Sequence, residues 1–201
     1  MTKRFSVEFP IRSFINAYPE QTLSFLLKCA TDKNYHVRRL ASEGTRPKLP
    51  WAKNISIAYD EPVTILDQLF ADSTRYVTRS VANHMNDISK VDPELVVKTQ
   101  KRWQKSGKQT DAEMKFITKH SLRTMEKQGH SAALKMLGYI KPEIQLTNFK
   151  INATEVVIGG ALEFTFSITS TVAKAQPLLI DYHLHFQKKG GELAPKTFKI
   201  N

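Results

Sequence analysis

The feature that most constrains this chain is a repeat. Residues 36–44 read H-V-R-R-L-A-S-E-G, residues 76–84 read Y-V-T-R-S-V-A-N-H and residues 116–124 read F-I-T-K-H-S-L-R-T, an offset of 40 residues each time. Val37, Val77 and Ile117 coincide, as do Arg39, Arg79 and Lys119. Asp32 and Asp72 coincide upstream, where an Asp can cap the following helix. A further helical stretch precedes each segment, at 19–30, 61–71 and 93–105, and Pro19, Pro62 and Pro93 suit a first helical turn. A two-helix unit with this period predicts a HEAT-type solenoid. The apolar spacing agrees: Leu23, Leu26, Leu27 and Ala30 form one stripe, and Val37, Leu40, Ala41 and Gly44 another.

The period changes after Lys141-Pro142. Leu162, Phe164, Phe166 and Ile168 alternate with polar residues, and Ile180, Tyr182, Leu184 and Phe186 do the same, which predicts half-buried antiparallel strands. Gly159-Gly160 and Lys189-Gly190-Gly191 signal turns. The chain therefore reads as mainly α: a helical-repeat domain over 1–140, then a small β domain of five strands over 142–201. About 60 residues is short for an immunoglobulin-like sandwich, which takes about 100.

Charge follows the same division. Residues 1–141 carry 24 Lys and Arg against 14 Asp and Glu, whereas residues 142–201 carry 6 against 5. A solubility device would be shared between the parts; a polyanion-binding surface would be local, as here. The lone Cys29 excludes a disulfide framework and fits a reducing compartment. With no signal peptide and no apolar run of membrane length, the chain reads as cytoplasmic and free of membrane.

In such a solenoid the second helix of each pair lines the concave side. Arg39, Glu43 and Arg46 share one helical face. Stacking the repeats sets Arg39, Arg79 and Lys119 in a ladder, with Arg46 and Arg123 beside it. The ladder is either a seat for a nucleic-acid backbone or a solvated face with local pairs such as Arg39–Glu43. Subtracting the period places Glu8, Trp51 and Asp87 at one edge of the solenoid. Two carboxylates and an indole there could face a cationic ligand. The bland alternatives are a Glu8–Arg12 pair, Asp87 as a turn cap and Trp51 as a core plug. His84 and His120 read as packing or surface residues. His183 and His185 read as a solvated strand face.

The string H-V-R-R-L-A-S-E-G-T-R-P-K-L-P-W-A at 36–52 resembles the signature of the AlkC-type DNA alkylation repair glycosylases, relatives of the AlkD-type HEAT-like glycosylases. F-S-V-E-F-P-I-R-S-F-I at 5–15, S-V-A-N-H-M-N-D-I-S-K at 80–90 and K-H-S-L-R-T-M-E-K-Q-G-H at 119–130 extend the resemblance. The β part resembles the family's immunoglobulin-like domain in position and pattern. The resemblance implies a monofunctional glycosylase that cleaves the N-glycosidic bond of cationic N-alkylated bases, 3-methyladenine and 3-methylcytosine, in duplex DNA. It implies no metal, no organic cofactor and no obligate protein partner. Glu8 and Asp87 fall at the family's acidic positions and Trp51 at an aromatic contact. Arg38, Arg39, Arg46, Lys48, Arg79, Lys119 and Arg123 are the candidates for holding DNA. Family members are longer, so the chain reads as truncated at both ends. Two rivals remain: a non-catalytic HEAT-type DNA-binding module, and a protein-interaction scaffold.

Overall fold

The computed structural model describes residues 2–4, 6–157 and 159–200. Phe5, which opens the first family-like stretch, lies outside them. The chain divides into two units, Met1–Leu137 and Gly138–Asn201.

The first unit contains, among the described residues, eight helices: α1 (Glu8–Ala17), α2 (Pro19–Cys29), α3 (Tyr35–Gly44), α4 (Val63–Leu69), α5 (Arg75–Ile88), α6 (Pro93–Ser106), α7 (Asp111–Lys127) and α8 (Ser131–Met136). They pack as the repeat dictates. α2 lies on α3, α4 on α5 and α6 on α7, while the second helices α3, α5 and α7 lie side by side in chain order. α1 closes the row against α2 and α3. The apolar stripes meet in one core that includes Leu26, Leu66, Val77, Val81, Met85, Ile117 and Met125, each fully buried. Cys29 is buried there as a small hydrophobe. None of the described helices is long and apolar enough to cross a membrane.

The aligned aspartates do not cap in the expected way. Asn34 caps α3, its side chain accepting from the His36 N–H at 2.9 Å, and Asp32 accepts from the Asn34 N–H at 2.7 Å. Thr74 stands at the start of α5 without a side-chain cap, and Asp72 accepts from both its N–H and its hydroxyl. Each Asp sits two residues before the cap position, where its short side chain orders the turn instead. Gly44, the last residue of α3, lies where α1 comes close: a Cβ there would stand 2.7 Å from the Ile11 side chain. That approach brings the loop after α3 beneath α1.

The second unit holds, among the described residues, four strands rather than five. β1 (Ile144–Ile151) pairs antiparallel with β2 (Phe164–Ser170), and β3 (Ile180–Gln187) with β4 (Leu193–Ile200), as two separate two-stranded sheets. Leu162 lies outside β2 and is exposed. Register in the first ribbon shifts between Thr147 and Lys150, where Asn148 takes φ +56°. The second ribbon runs unbroken from Ile180↔Ile200 to Gln187↔Leu193, and Gly191 at φ +85° lies in its turn. Phe164 meets Tyr182 edge-on at 5.3 Å, so the small apolar cluster of this unit draws on both ribbons. Leu184 and Phe186 extend beyond the cluster and are exposed.

Candidate active site

The site begins with a buried guanidinium. Arg12, on α1, is fully buried and donates to four carbonyls: Lys53 at 2.5 Å, Arg46 at 2.7 Å, and Gly44 and Pro47 at 3.3 Å each. One planar fork thereby ties down the whole loop that follows α3. Burial, and then the charge of Arg46, lower its pKa. The anchored loop carries Trp51 at φ +64°, a left-handed conformation that is rare for a bulky residue, with its side chain 99% exposed. Trp51 is therefore no core plug, and Arg12 is no partner of Glu8.

Glu8 pairs instead across the repeat. Its carboxylate accepts from the Ser6 hydroxyl and from Arg39 Nη1, the latter at 2.5 Å. Burial alone would raise the Glu8 carboxyl. The Ser6 hydroxyl, the Glu8 backbone N–H and Arg39 outweigh it and hold the group below its ordinary pKa. Arg39 continues to Glu43 at 3.7 Å and lies over the Tyr76 ring at 4.8 Å. Glu43 accepts from Arg46 Nη1 at 2.6 Å and from the Ser80 hydroxyl. Arg46 reaches Asp87 through Nε at 2.8 Å and Nη2 at 2.6 Å, and Lys90 donates to the other Asp87 oxygen at 3.0 Å. Three carboxylates and three cations thus alternate along one chain of contacts across α1, α3 and α5.

The two expected carboxylates open differently. Glu8 and Trp51 line one depression of about 300 Å³, walled by Leu49 and Pro50. Asp87 lines another of about 490 Å³, with Lys48, Lys90 and Tyr59. Glu8 is 6% exposed and Asp87 7%, each with its charge met by a guanidinium. The edge expected from the repeat is one network with two openings.

The expected ladder of cations is uneven. Arg38 forks onto Asp72 and donates to the Asp32 and Lys33 carbonyls, so it braces neighbouring repeats instead of facing outward. Arg39 and Arg46 are held by Glu8, Glu43 and Asp87. Arg123 is half-buried and donates to the His120 carbonyl and to Asn83 Oδ1. Arg79, Lys119 and Lys48 are exposed and outside the ion pairs of the described residues. The physical reason is the spacing of the acids. Glu8, Asp72 and Asp87 stand 31 to 41 residues from their Arg partners, which the repeat closes into contact.

Sequence reasoning missed Arg12 as the loop clamp and Glu43 as the hinge between the carboxylates. Their local i, i+4 neighbours, Glu8 and Arg39, suggested simpler pairs. His84 is fully buried below the network, donating from Nδ1 to the Ser42 carbonyl at 3.0 Å. Burial and the nearby charge of Arg46 push its pKa down to about 3, so it stays neutral and acts as packing.

Residues 145–201 match the family described as "Uncharacterised protein YhaZ, C-terminal Ig-like domain". The chain is 41% identical over 197 residues to the uncharacterized protein YhaZ of Bacillus subtilis (strain 168), covering 96% of this chain and 54% of that protein. Among solved structures it is similar to the Pseudomonas fluorescens alkylpurine DNA glycosylase AlkC bound to DNA containing an abasic site analog. The TM-score is 0.90 at 36% identity, over 100% of this chain and 56% of the other. The chain thus spans about half the length of the relatives it matches.

Proposed function

We propose that this AlkC-type chain carries the base-excision site of a DNA alkylation repair glycosylase, acting on cationic N-alkylated bases such as 3-methyladenine and 3-methylcytosine in duplex DNA. The observation that carries the reading is the Glu8 depression. A carboxylate held ionised by Ser6 and Arg39 opens beside an indole presented in full to solvent. An indole face attracts a cationic base. A fixed carboxylate stabilises the positive charge that develops on the sugar.

The chemistry follows from the charges. The bond between the sugar C1′ and the alkylated base breaks, and its electron pair leaves with the base, which departs neutral. The sugar is left as an oxocarbenium-like cation, stabilised by a carboxylate. Water adds to C1′ and gives its proton to a carboxylate, Glu8 or Asp87. Exposed Arg79, Lys119 and Lys48 would hold phosphates, while Arg38, Arg39, Arg46 and Arg123 chiefly position other groups.

The test is release of free methylated base from N-methylated duplex DNA by the full chain. Glu8→Gln and Asp87→Asn keep the shapes and remove the charges, and each should slow release by about 10²–10³-fold. Trp51→Ala should raise the substrate concentration needed by roughly 2–30-fold, the range of a cation–π contact. Normal turnover in both carboxylate variants would remove the proposed mechanism, and salt-sensitive duplex binding with no base release by the parent would leave a non-catalytic DNA-binding module as the better account.

A further inference from the structure

Three depressions of the helical unit share their walls. The one holding Glu8 and Trp51 has Ser6, Glu8 and Arg39 in common with a second, of about 190 Å³, flanked by Lys3 and Arg4. The second has His36 and Tyr76 in common with a third, of about 450 Å³, formed by Tyr35, His36, Thr74 and Tyr76. The result is a run from the indole, past the carboxylate and a group of cations, to a cluster of rings at the starts of α3 and α5.

The rings form a corner. Tyr35 and His36 lie 4.2 Å apart between centroids, and Tyr76 stands perpendicular to Tyr35 at 5.7 Å and steeply to His36 at 5.6 Å. Tyr35 is 42% exposed and Tyr76 46%, and neither belongs to the apolar core. Large rings left half in water, with Lys3 and Arg4 flanking the adjoining depression, suit a ligand with flat apolar faces joined by anions. A single polynucleotide strand has that chemistry, with bases to stack and phosphates to pair. In a straight, intact duplex both faces of a base are covered by its stacked neighbours, so the corner needs an unstacked base, which an unpaired strand offers most readily.

We propose that the Tyr35–His36–Tyr76 corner receives an unpaired nucleobase on the same strand as the nucleotide at Glu8, with Lys3 and Arg4 tracking the intervening backbone. The placement at Glu8 rests on the glycosylase reading; the stacking corner does not. The protein therefore binds single-stranded DNA as such.

Fluorescence anisotropy with a labelled, unmodified single-stranded oligonucleotide and the full chain tests this. The parent should bind it. Tyr35→Ala should weaken binding about fivefold to a hundredfold, the range for losing one base–aromatic stack. Tyr35→Phe should stay within about twofold of the parent. The slope of affinity against salt should be the same in all three, because no phosphate contact is removed. His36→Ala gives a second variant, and unchanged far-ultraviolet circular dichroism checks each fold. The inference is overturned if the parent fails to bind single strands at a salt concentration where it binds duplex, or if Tyr35→Ala and His36→Ala both bind as tightly as the parent. Base release from methylated duplex, measured on the same preparations, reports separately on the glycosylase reading: its absence in the parent leaves the anisotropy result standing.

Discussion

Removing the Arg12 guanidinium should cost the helical unit roughly 3 kcal/mol. Arg12→Met keeps the length of the side chain and deletes its donors. The Lys53 and Arg46 carbonyls, at 2.5 and 2.7 Å, are the two close acceptors. A hydrogen bond to a charged donor contributes about 1.5–3 kcal/mol net, so these two set a scale of roughly 3–6 kcal/mol. Two effects reduce it. The carbonyls of Lys53, Arg46 and Pro47 are only partly buried and can take up water. Arg46 also loses a repulsive neighbour. Urea unfolding followed by helical ellipticity reads the first unit, because the second is made of strands. With a slope of about 1–3 kcal/mol per molar urea, the midpoint should fall by about 1–3 M. Arg12→Lys should lose most of the same stability, since an ammonium cannot reach carbonyls spread along a loop as a planar fork does. A midpoint within about 0.3 M of the parent for Arg12→Met would refute the clamp.

His84 binds no proton in the folded protein until about pH 3, whereas the unfolded chain binds one near 6.5. Its contribution is therefore complete above pH 6.5 and declines as pH falls below that, by about 2 kcal/mol at pH 5. Glu8 and Glu113, lowered from 4.5, and Asp72, lowered from 3.8, contribute fully above those values and lose the contribution as pH falls through their folded pKa values below them. His84→Asn should flatten the limb between pH 6.5 and 4.5; equal losses in parent and variant by thermal unfolding would refute the assignment. A double-mutant cycle on Arg38 and Asp72, 16% and 5% exposed, should give a coupling of about 1–3 kcal/mol, and one on Arg75 and Glu113, where Arg75 is 49% exposed, under about 1 kcal/mol. Arg79→Gln and Lys119→Gln should each lower the salt slope of duplex binding by about 1, while Arg38→Gln leaves the slope unchanged and lowers stability; equal slopes in all three would remove Arg79 and Lys119 from the interface.

The helices and their pairing were legible because burial repeats every third or fourth residue and the unit repeats every 40, so one pattern fixes both the stripe and the stacking. The strands of the second unit were legible in part. Alternation marked β2 and β3, but the short cluster around Phe164 and Tyr182 leaves Leu184 and Phe186 exposed, which alternation alone does not reveal. At the site, exposed Trp51 and the pairing of Glu8 were not legible. The conformation of Trp51 depends on carbonyls that Arg12 collects, and a backbone acceptor carries no residue type to recognise.

The charges teach a more general point about repeats. Read locally, Arg38 and Arg39 on α3 and Arg46 just past its end are three cations with a single acid, Glu43, among them. In the fold each meets an acid about one repeat away: Asp72 34 residues on, Glu8 31 residues back, Asp87 41 residues on. Arg75 and Glu113 follow the same rule at 38 residues. In a stack of hairpins the nearest neighbour on the adjacent layer is one period away, so charge should be tallied at that spacing as well as at i, i+4. Done so, Arg38, Arg39 and Arg46 are neutralised within the fold, while Arg79, Lys119 and Lys48 stand outside the ion pairs of the described residues. The same spacing delivers two carboxylates, Glu8 and Asp87, to one network in which each meets a guanidinium from the neighbouring layer.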